Sequence, residues 1–336
     1  MYIRTLAILA FLLMIPTFAF ADEPSSSLLV EPIYPENQVS ATKGYYDLET
    51  KAGEEMTLKL KLENTADAPI NVRVEKSNAY TSPTGGIFYG AETESEDAML
   101  LDDGIHLVDY MEVEEKVTIP ANETLELPIK VKVPETDGQT VLGGIKVTEE
   151  TAKEEGEEAG EDEANFVINT ETTFAVAIQL NLPAESEANF STGSVGFISD
   201  TAQVFLEMAN NAHLIQGDVS GTYAVKDSEG TELFSGTINS FIMAPQTKIR
   251  YPIAWNNEKL EDGDYTLVVN GKAGEKEFAV NEAFTISSAE VQEYAETTNP
   301  VAETEEGENG VPTWIWIAVA IVFGAIMFFM GRRKKN

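Results

Sequence analysis

Apolar and polar residues alternate in short runs along the middle of the chain, from about residue 45 to residue 287. Successive side chains of a β-strand point to opposite faces, so this period of two is typical of strands buried on one side. Outside the two ends of the chain we see no amphipathic helix of useful length. The spacing therefore predicts an all-β fold of immunoglobulin-like sandwiches. The clearest runs are MTLKLKLENT (56–65), PINVRVEKS (69–77), KVTIP (116–120), LELPIKVKVP (125–134) and LGGIKVTEE (142–150).

The second half of this region repeats features of the first half. One repeated pattern is a strand, an Asn-containing turn and a second strand. The other is a proline, then a run of polar residues, then an apolar residue followed by Pro-Ile. A chain of 336 residues also has room for two domains. We expect tandem sandwiches at 28–183 and 188–287. The corresponding pairs are LENTADAPINVRV (62–74) with MANNAHLIQGDVSGTYAV (208–225), and TIPANETLELPIKV (118–131) with IMAPQTKIRYPIAW (242–255).

An acidic, glycine-containing run, TEETAKEEGEEAGEDEA at 148–164, is too charged to be buried. It precedes TTFAVAIQLNLP at 172–183, a long strand pattern that the first sandwich otherwise lacks. We therefore favour a loop that joins the last two strands of the first domain. The alternative is that the acidic run links the two domains. A second acidic stretch at 288–310 predicts a stalk.

Both ends of the chain have the features of targeting segments. Residues 1–21 combine Arg4, a short apolar run and a small-x-small triplet, which predicts a cleaved signal peptide, with an uncleaved anchor as the alternative. Residues 311–331 carry no charge and are long enough to cross a hydrocarbon layer of about 30 Å. The basic tail at 332–336 predicts a cytoplasmic C-terminus. We expect a single-pass protein of the cell membrane whose ectodomain is extracellular.

Composition excludes several classes of function. The chain has 22 basic and 57 acidic residues and a net charge of -35, so it would repel phosphate backbones, and we expect no nucleic-acid partner. It has no cysteine, which excludes disulfides, thiolate metal sites and thiol nucleophiles. His106 and His213 stand in no metal-ligand spacing, and no nucleophile elbow or phosphate-binding loop is present. We therefore expect a protein that is not an enzyme and has no cofactor and no metal site.

One segment, LLVEPIYPENQ at 28–38, begins like a buried strand but is broken by Pro32 and Pro35. Prolines are tolerated at the edge of a sheet, so we expect an edge segment whose polar end faces a ligand. Aromatic faces stack on sugar rings, while amides and carboxylates bind sugar hydroxyls. The alternative is that most of these aromatic residues belong to the core. The candidate ligand-binding residues are Tyr34, Asn37, Gln38, Tyr45, Tyr46 and Asp47.

Six segments stand in a fixed order along the chain: LLVEPIYPENQ, GYYDL (44–48), LKLENTADAPINV, VTIPANETLELPIKVKVP, LGGIKV and MAPQTKIRYPIAWNNEKLEDGDYTL. This ordered set resembles the WxL-interacting proteins of Gram-positive bacteria. The resemblance covers nearly the whole chain, and the long acidic run is the departure from it. It implies a peptidoglycan-binding first domain, which places the ectodomain at the cell wall, and a host-binding second domain. It also implies WxL-domain surface proteins as partners, with a host extracellular-matrix protein as a candidate ligand.

Three hypotheses for the function follow. The first is a membrane-anchored cell-surface adaptor that binds peptidoglycan through the first domain and WxL surface proteins or host ligands through the second. The second is an extracytoplasmic assembly chaperone that acts by β-strand complementation. It arises because the first domain also resembles the sandwich of pilus chaperones, in which TTFAVAIQL could lend its edge to a client. The third is a passive wall spacer with no specific ligand.

Overall fold

The structure is a computed structural model that describes residues 26–39, 44–90, 95–150, 171–257 and 259–298. Within these ranges nearly all of the regular secondary structure is β-strand, as the alternating pattern predicts. No helix in the described ranges is long and apolar enough to cross a membrane. The predicted signal peptide, transmembrane helix and basic tail lie outside the described residues, as does most of the acidic run.

The first sandwich packs two sheets over one hydrophobic core. Its smaller sheet has the order β1 (Leu28–Ile33), β3 (Glu55–Asn64), β9 (Thr124–Lys132) and β7 (Met111–Glu112). Its larger sheet has the order β2 (Tyr46–Glu49), β11 (Thr173–Asn181), β10 (Thr140–Glu150), β4 (Ile70–Thr81) and β5 (Ile87–Gly90), and β8 (Lys116–Ile119) also pairs with β4. The β2–β11 pair is parallel, and the other pairs are antiparallel.

The alternation in the sequence fixes which side chains enter this core. In β9, Leu127, Ile129 and Val131 are buried, and the residues between them are exposed. Burying each such side chain stabilises the fold by roughly 1.5–3 kcal/mol, relative to a fully exposed chain. The five runs that predict strands all coincide with strands of this sandwich, so the period-two prediction is confirmed.

The proline-broken segment at 28–38 crosses from one sheet to the other. Among the described strands β1 pairs only with β3, so it lies at the sheet edge, where Pro32 is tolerated, as the sequence predicts. The chain then turns at Pro35, whose carbonyl accepts a hydrogen bond from the Gln38 N–H at 3.2 Å. Gln38 next forms a bridge with Leu48 of β2. The segment therefore closes one side of the sandwich.

The predicted strand at 172–183 is β11, which pairs with β10 along most of its length and with β2 over residues 178–181. Its hydrogen bonding therefore places it in a sheet of the first sandwich. The residues between β10 and β11, 151–170, lie outside the described ranges.

The second sandwich also encloses one core, rich in aromatic residues. One sheet has the order β12 (Phe190–Ile198), β13 (Gln203–Asn210), β16 (Thr247–Ala254) and β6 (Ala98–Leu100). The other has the order β15 (Glu232–Met243), β14 (Gln216–Lys226), β17 (Gly263–Ala273) and β18 (Lys276–Ile286). β6 is the unexpected member, because it comes from residues that the sequence assigns to the first domain.

The two sandwiches share the buried-asparagine turn that the sequence repeat suggests. Asn64, at the end of β3, donates through Nδ2 to the carbonyls of Ala68, Ile119 and Pro120 at 2.9, 3.1 and 3.0 Å. Asn210, at the end of β13, donates to the carbonyls of Leu214 and Ala244 at 2.8 and 2.9 Å. In both turns, Oδ1 accepts the N–H two residues later. The same side chain thus joins two loops in each domain.

A buried polar contact connects the sandwiches. The Thr81 hydroxyl lies 2.5 Å from that of Thr247 and accepts the Ala244 N–H at 2.9 Å. Thr81 and Thr247 are both fully buried. Two glycines allow close approach at the same interface, because a Cβ on Gly85 would lie 2.6 Å from Cβ of Phe241 and one on Gly138 would lie 2.6 Å from Cβ of His213. The described domains are therefore packed directly together.

A short helix, α1 (Ser288–Thr298), follows β18 within the stretch predicted to be a stalk, and none of its residues is buried. Ser287 caps it: its hydroxyl accepts the Glu290 N–H at 3.3 Å, and the Glu290 carboxylate accepts the Ser287 N–H at 2.7 Å. Val291 packs against the second core, and the Ser199 hydroxyl donates to Glu293 at 2.6 Å. This part of the predicted stalk is therefore folded onto the second domain.

Candidate functional site

The six candidate residues lie together at one edge of the first sandwich, where the chain between Tyr34 and Val39 runs beside β2. The Val39 N–H donates to the Asp47 carbonyl at 2.8 Å, and the Glu49 N–H donates to the Asn37 carbonyl at 3.0 Å. The Asn37 side chain adds a bond from Nδ2 to the Glu49 carbonyl at 2.8 Å. The topology thus brings the two halves of the candidate set into contact.

Gln38 uses its side-chain amide to hold this loop. Its Nε2 donates to the Tyr45 carbonyl at 3.2 Å, and its Oε1 accepts the Asp47 N–H at 3.2 Å. Both ends of the Gln38 amide therefore bond to β2 and the residue before it, and a ligand contact by Gln38 stays a prediction.

Tyr46 is a core residue and not a surface ring. It is 0% exposed, and its hydroxyl donates to the Lys59 carbonyl at 2.5 Å. Burial raises the pKa of this hydroxyl well above its ordinary value. The prediction that its ring faces a ligand is wrong, because alternation along β2 places Tyr46 and Leu48 on the face that fills the sandwich.

Tyr34 and Tyr45 remain exposed, at 41% and 36% of their surface. The Tyr34 ring meets the Tyr46 ring edge to face, with centroids 6.4 Å apart, and its hydroxyl accepts the Gly44 N–H at 2.6 Å. Tyr45 directly precedes β2. Burial, and secondarily Tyr45, raises the pKa of Tyr89 to about 12. Of the two exposed rings, that of Tyr34 is held by a neighbouring aromatic residue.

Asp47 is joined to the end of β11. Its Oδ1 accepts a hydrogen bond from Nδ2 of Asn181 at 2.6 Å, and Oδ1 of Asn181 accepts one from Nε2 of Gln179 at 2.9 Å. Asp47 therefore orients Asn181, a residue that sequence reasoning did not select.

An open cleft of about 880 Å³ adjoins this edge. The turn between β2 and β3 forms one wall, with Gly53 in the left-handed region at φ +72° and its N–H donating to the Val133 carbonyl at 3.0 Å. The Lys51 N–H donates to the Glu54 carboxylate at 2.9 Å, which fixes the tip of the turn. The lining residues are Asn37, Glu49, Thr50, Lys51, Ala52, Gly53, Glu54, Asn181, Leu182 and Pro183.

The lining combines side-chain amides, carboxylates and one ammonium group. Asn37 and Asn181 offer amides, Glu49 and Glu54 offer exposed carboxylates, and Lys51 offers a cation. Such groups hydrogen-bond to hydroxyl and acetamido groups of a polar ligand. Among the described residues no cluster of metal-ligating side chains is present. Of the predicted residues, only Asn37 lines the cleft. The other lining residues belong to the end of β2, to the turn that follows it and to the end of β11. These segments are far apart in the sequence, and no local motif connects them.

The second sandwich has two shallower depressions, of about 590 and 430 Å³. They involve neighbouring strands of the sheet that contains β14 and β17, and both include Asn270. The smaller one extends to β15, where Glu232, Ser235, Gly236 and Thr237 contribute to its lining.

Two family models match the sequence. The model described as the WxL Interacting Protein peptidoglycan binding domain matches residues 29–149, and the one described as the WxL Interacting Protein host binding domain matches residues 163–296. The exposed tyrosines and the turn that lines the cleft fall in the first range. The second range includes β11, although β11 belongs to a sheet of the first sandwich. No curated protein matches the chain.

Several solved structures match the chain at low similarity. The CsuC-CsuE chaperone-tip adhesion subunit pre-assembly complex of Acinetobacter baumannii is 13% identical, with 76% of this chain and 98% of that chain covered and a TM-score of 0.35. The Salmonella enterica SafA pilin in complex with the SafB chaperone is 13% identical, with 77% and 98% covered and a TM-score of 0.32. The Escherichia coli chaperone DraB is 11% identical, with 78% and 96% covered and a TM-score of 0.30. Likeness at this level says nothing about function.

Proposed function

The chain belongs to the WxL-interacting proteins, and from this membership we propose that it is a cell-surface adaptor. Its first domain holds the protein on peptidoglycan. Its second domain engages WxL-domain surface proteins or a host ligand, for which a host extracellular-matrix protein is one candidate. The apolar segment at 311–331 anchors the chain in the cell membrane with the ectodomain outside, and the chain performs no catalysis.

The edge of the first sandwich that carries both the cleft and the two exposed tyrosines is the observation that supports peptidoglycan binding in the first domain. Peptidoglycan is a polymer of N-acetylated sugars that carry short peptides, so an open cleft suits it better than an enclosed pocket. Tyr34 and Tyr45 present rings for stacking, while the amide oxygens of Asn37 and Asn181 keep lone pairs that accept hydrogen bonds from hydroxyl and acetamido groups. We assign the ligand contact to these four residues and to the turn at 50–54.

The affinity expected of such a site is modest. A site of micromolar to millimolar dissociation constant corresponds to about 4–8 kcal/mol. One well-stacked aromatic contact contributes about 0.5–1.5 kcal/mol beyond its buried area. Loss of one ring should therefore weaken binding by about 3- to 10-fold, which a sedimentation assay resolves.

The test is cosedimentation of the full-length protein, in detergent, with purified peptidoglycan. Tyr34→Ala and Tyr45→Ala should each bind about 3- to 10-fold more weakly than the parent. Tyr110→Ala is the matched control, because Tyr110 is a similarly exposed tyrosine of the same domain, at 38%, and belongs to the helical turn Leu107–Tyr110 and not to the segments that carry Tyr34 and Tyr45. If all three variants sediment like the parent while folded by circular dichroism, the wall contact is not at this site.

The alternative of a chaperone acting by strand complementation has one supporting feature. Among the described residues, β2 covers β11 only over residues 178–181, and no described strand pairs with residues 173–177 on that side. A client strand at this position would be short. Copurification of a client that aggregates in cells lacking the protein would favour this function over the adaptor.

A further inference from the structure

The second sandwich has a long edge strand that carries little protection against pairing. β15 pairs with β14 and with no other described strand. From Leu233 to Met243 it has no charged residue and no proline, although 24% of the chain is charged. Exposed edges in natural sheets are usually protected by charges, prolines, bulges or short length. β15 has register irregularities near both ends, but its pairing is regular from Phe234 to Ile238. That regular stretch has the length of a typical strand.

Most other edges of the two sandwiches are protected or occupied, and the open stretch of β11 at 173–177 is short and stands close in sequence to residues outside the described ranges. β1 has Pro32 and the exposed Glu31, which pairs with Lys61 at 3.5 Å. β12 lies against β18, where the Phe190 and Phe278 rings are 5.0 Å apart. β6 and β7 are very short. Within the described ranges, β15 is therefore the edge best suited to accept another strand.

The C-terminal end of β15 already accepts a backbone hydrogen bond from outside its own sheet. The turn between β4 and β5 reaches across from the first domain, and the Gly86 N–H donates to the Ile242 carbonyl at 3.2 Å. Gly85 in the same turn packs on Phe241. An added strand that pairs with residues 234–238 would continue this interface towards the N-terminal end of β15.

Polar groups beside residues 234–238 lie where the side chains of an added strand would contact them. Gly236 has no side chain, and the Tyr223 hydroxyl lies only 2.4 Å from where a Cβ on Gly236 would be. The Tyr223 hydroxyl of β14 therefore lies over β15 at Gly236. The depression of about 430 Å³ on this sheet includes Ser235 and Thr237, and Glu232 is the charged residue in its lining.

We propose that β15 of the second domain pairs with an extended segment of another polypeptide that is uncharged in its middle and basic at its end. The uncharged middle would pair with the uncharged stretch from Phe234 to Ile238. The basic end would lie beside the acidic residues Glu232, Glu229 and Asp227. A second copy of this chain is a poorer partner, because its net charge of -35 repels another copy. This inference rests on the second domain being a binding module, and it names the kind of partner.

The probe is a synthetic nine-residue peptide of alternating valine and threonine with a lysine at each end, titrated into the full-length protein in detergent. It should bind saturably and slow amide hydrogen exchange in residues 233–241. A peptide with glutamate at both ends should bind at least 5-fold more weakly. A peptide with proline at its centre should not bind detectably, because it lacks the N–H and extended geometry of a strand.

The double variant Ser235→Lys, Thr237→Lys should weaken binding of the lysine peptide at least 10-fold. Asn281→Lys adds a positive charge to β18, the opposite edge of the same sheet, and should leave binding within 2-fold of the parent. Absence of binding, protection outside β15, or equal effects of the two variants would overturn the proposal. So would self-association through residues 233–241 detected by sedimentation. Cosedimentation with peptidoglycan on the same preparation tests the first domain separately.

Discussion

The buried asparagine of each domain gives the most specific test of how the fold is held together. Replacing Asn64 by alanine removes three donated hydrogen bonds and one accepted from the Ala66 N–H at 2.8 Å. Asn64 is 1% exposed, so water replaces these bonds poorly. A hydrogen bond contributes about 0.5–1.5 kcal/mol net, and a buried group left unpaired costs about 1–3 kcal/mol. We expect a loss of about 2–4 kcal/mol from the free energy of unfolding of the first domain.

Asn210→Ala should have a similar effect on the second domain, because Asn210 makes the equivalent bonds. Urea unfolding measured by circular dichroism reports the whole ectodomain, while Trp255, which contacts Phe234 and Tyr265 in the second core, reports that domain by fluorescence. Asn71→Ala is the control, since Asn71 is exposed and its change should stay within about 0.5 kcal/mol. An Asn64→Ala protein that unfolds like the Asn71→Ala protein would refute the reasoning.

Three further predictions concern separate parts of the molecule. The raised pKa of Tyr46 means that the folded state resists its ionisation, so the contribution of Tyr46 to stability should be complete below a pH of about 10 and be lost as pH rises above that value. Because exposed tyrosines ionise without unfolding, urea unfolding at several pH values should be compared with that of Tyr46→Phe, and an equal loss of stability in both proteins above pH of about 10 would contradict this. Thr81→Val should destabilise the domain interface by about 1–3 kcal/mol, as measured by calorimetry, because the Ala244 N–H loses its hydrogen-bond acceptor. An unchanged melting profile would exclude a role for this contact. Replacing Lys153 to Glu163 by a short Gly/Ser turn should leave the melting temperature nearly unchanged, because halving a loop changes its closure free energy by only about 0.6 kcal/mol; a collapse of the first domain would show that the acidic run is structural.

Local sequence patterns were sufficient to predict the strands of the first sandwich. They were not sufficient to predict which strands pair with each other. Alternation predicted the strands of the first sandwich because the period of two is a property of each strand alone. β6 was missed because three residues carry no pattern, and only the tertiary fold places them beside β16. Its pairing depends on residues far apart in the sequence, including the Arg250 N–H, which donates to the Asp97 carbonyl at 3.0 Å.

Two misses had a signal in the sequence. Tyr46 and Leu48 stand two residues apart, so they share one face of a strand, and the presence of Leu48 indicated that Tyr46 points inwards. The helix after β18 begins with Ser287 followed three residues later by Glu290, which is the sequence pattern of a capping box. The cleft had no such signal, because Asn37 and Asn181 meet only when β11 pairs in parallel with β2.

The central claim is that the first domain contacts peptidoglycan at the edge formed by residues 34–54 and 181–183. Hydrogen exchange of the full-length protein, measured by mass spectrometry with and without soluble peptidoglycan fragments, tests it directly. Binding should slow exchange in the loop at 34–39 and the turn at 50–54, and leave β15 and the turn carrying Tyr110 unchanged. Saturable binding that protects other surfaces of the protein, and leaves both of these segments unchanged, would contradict the account.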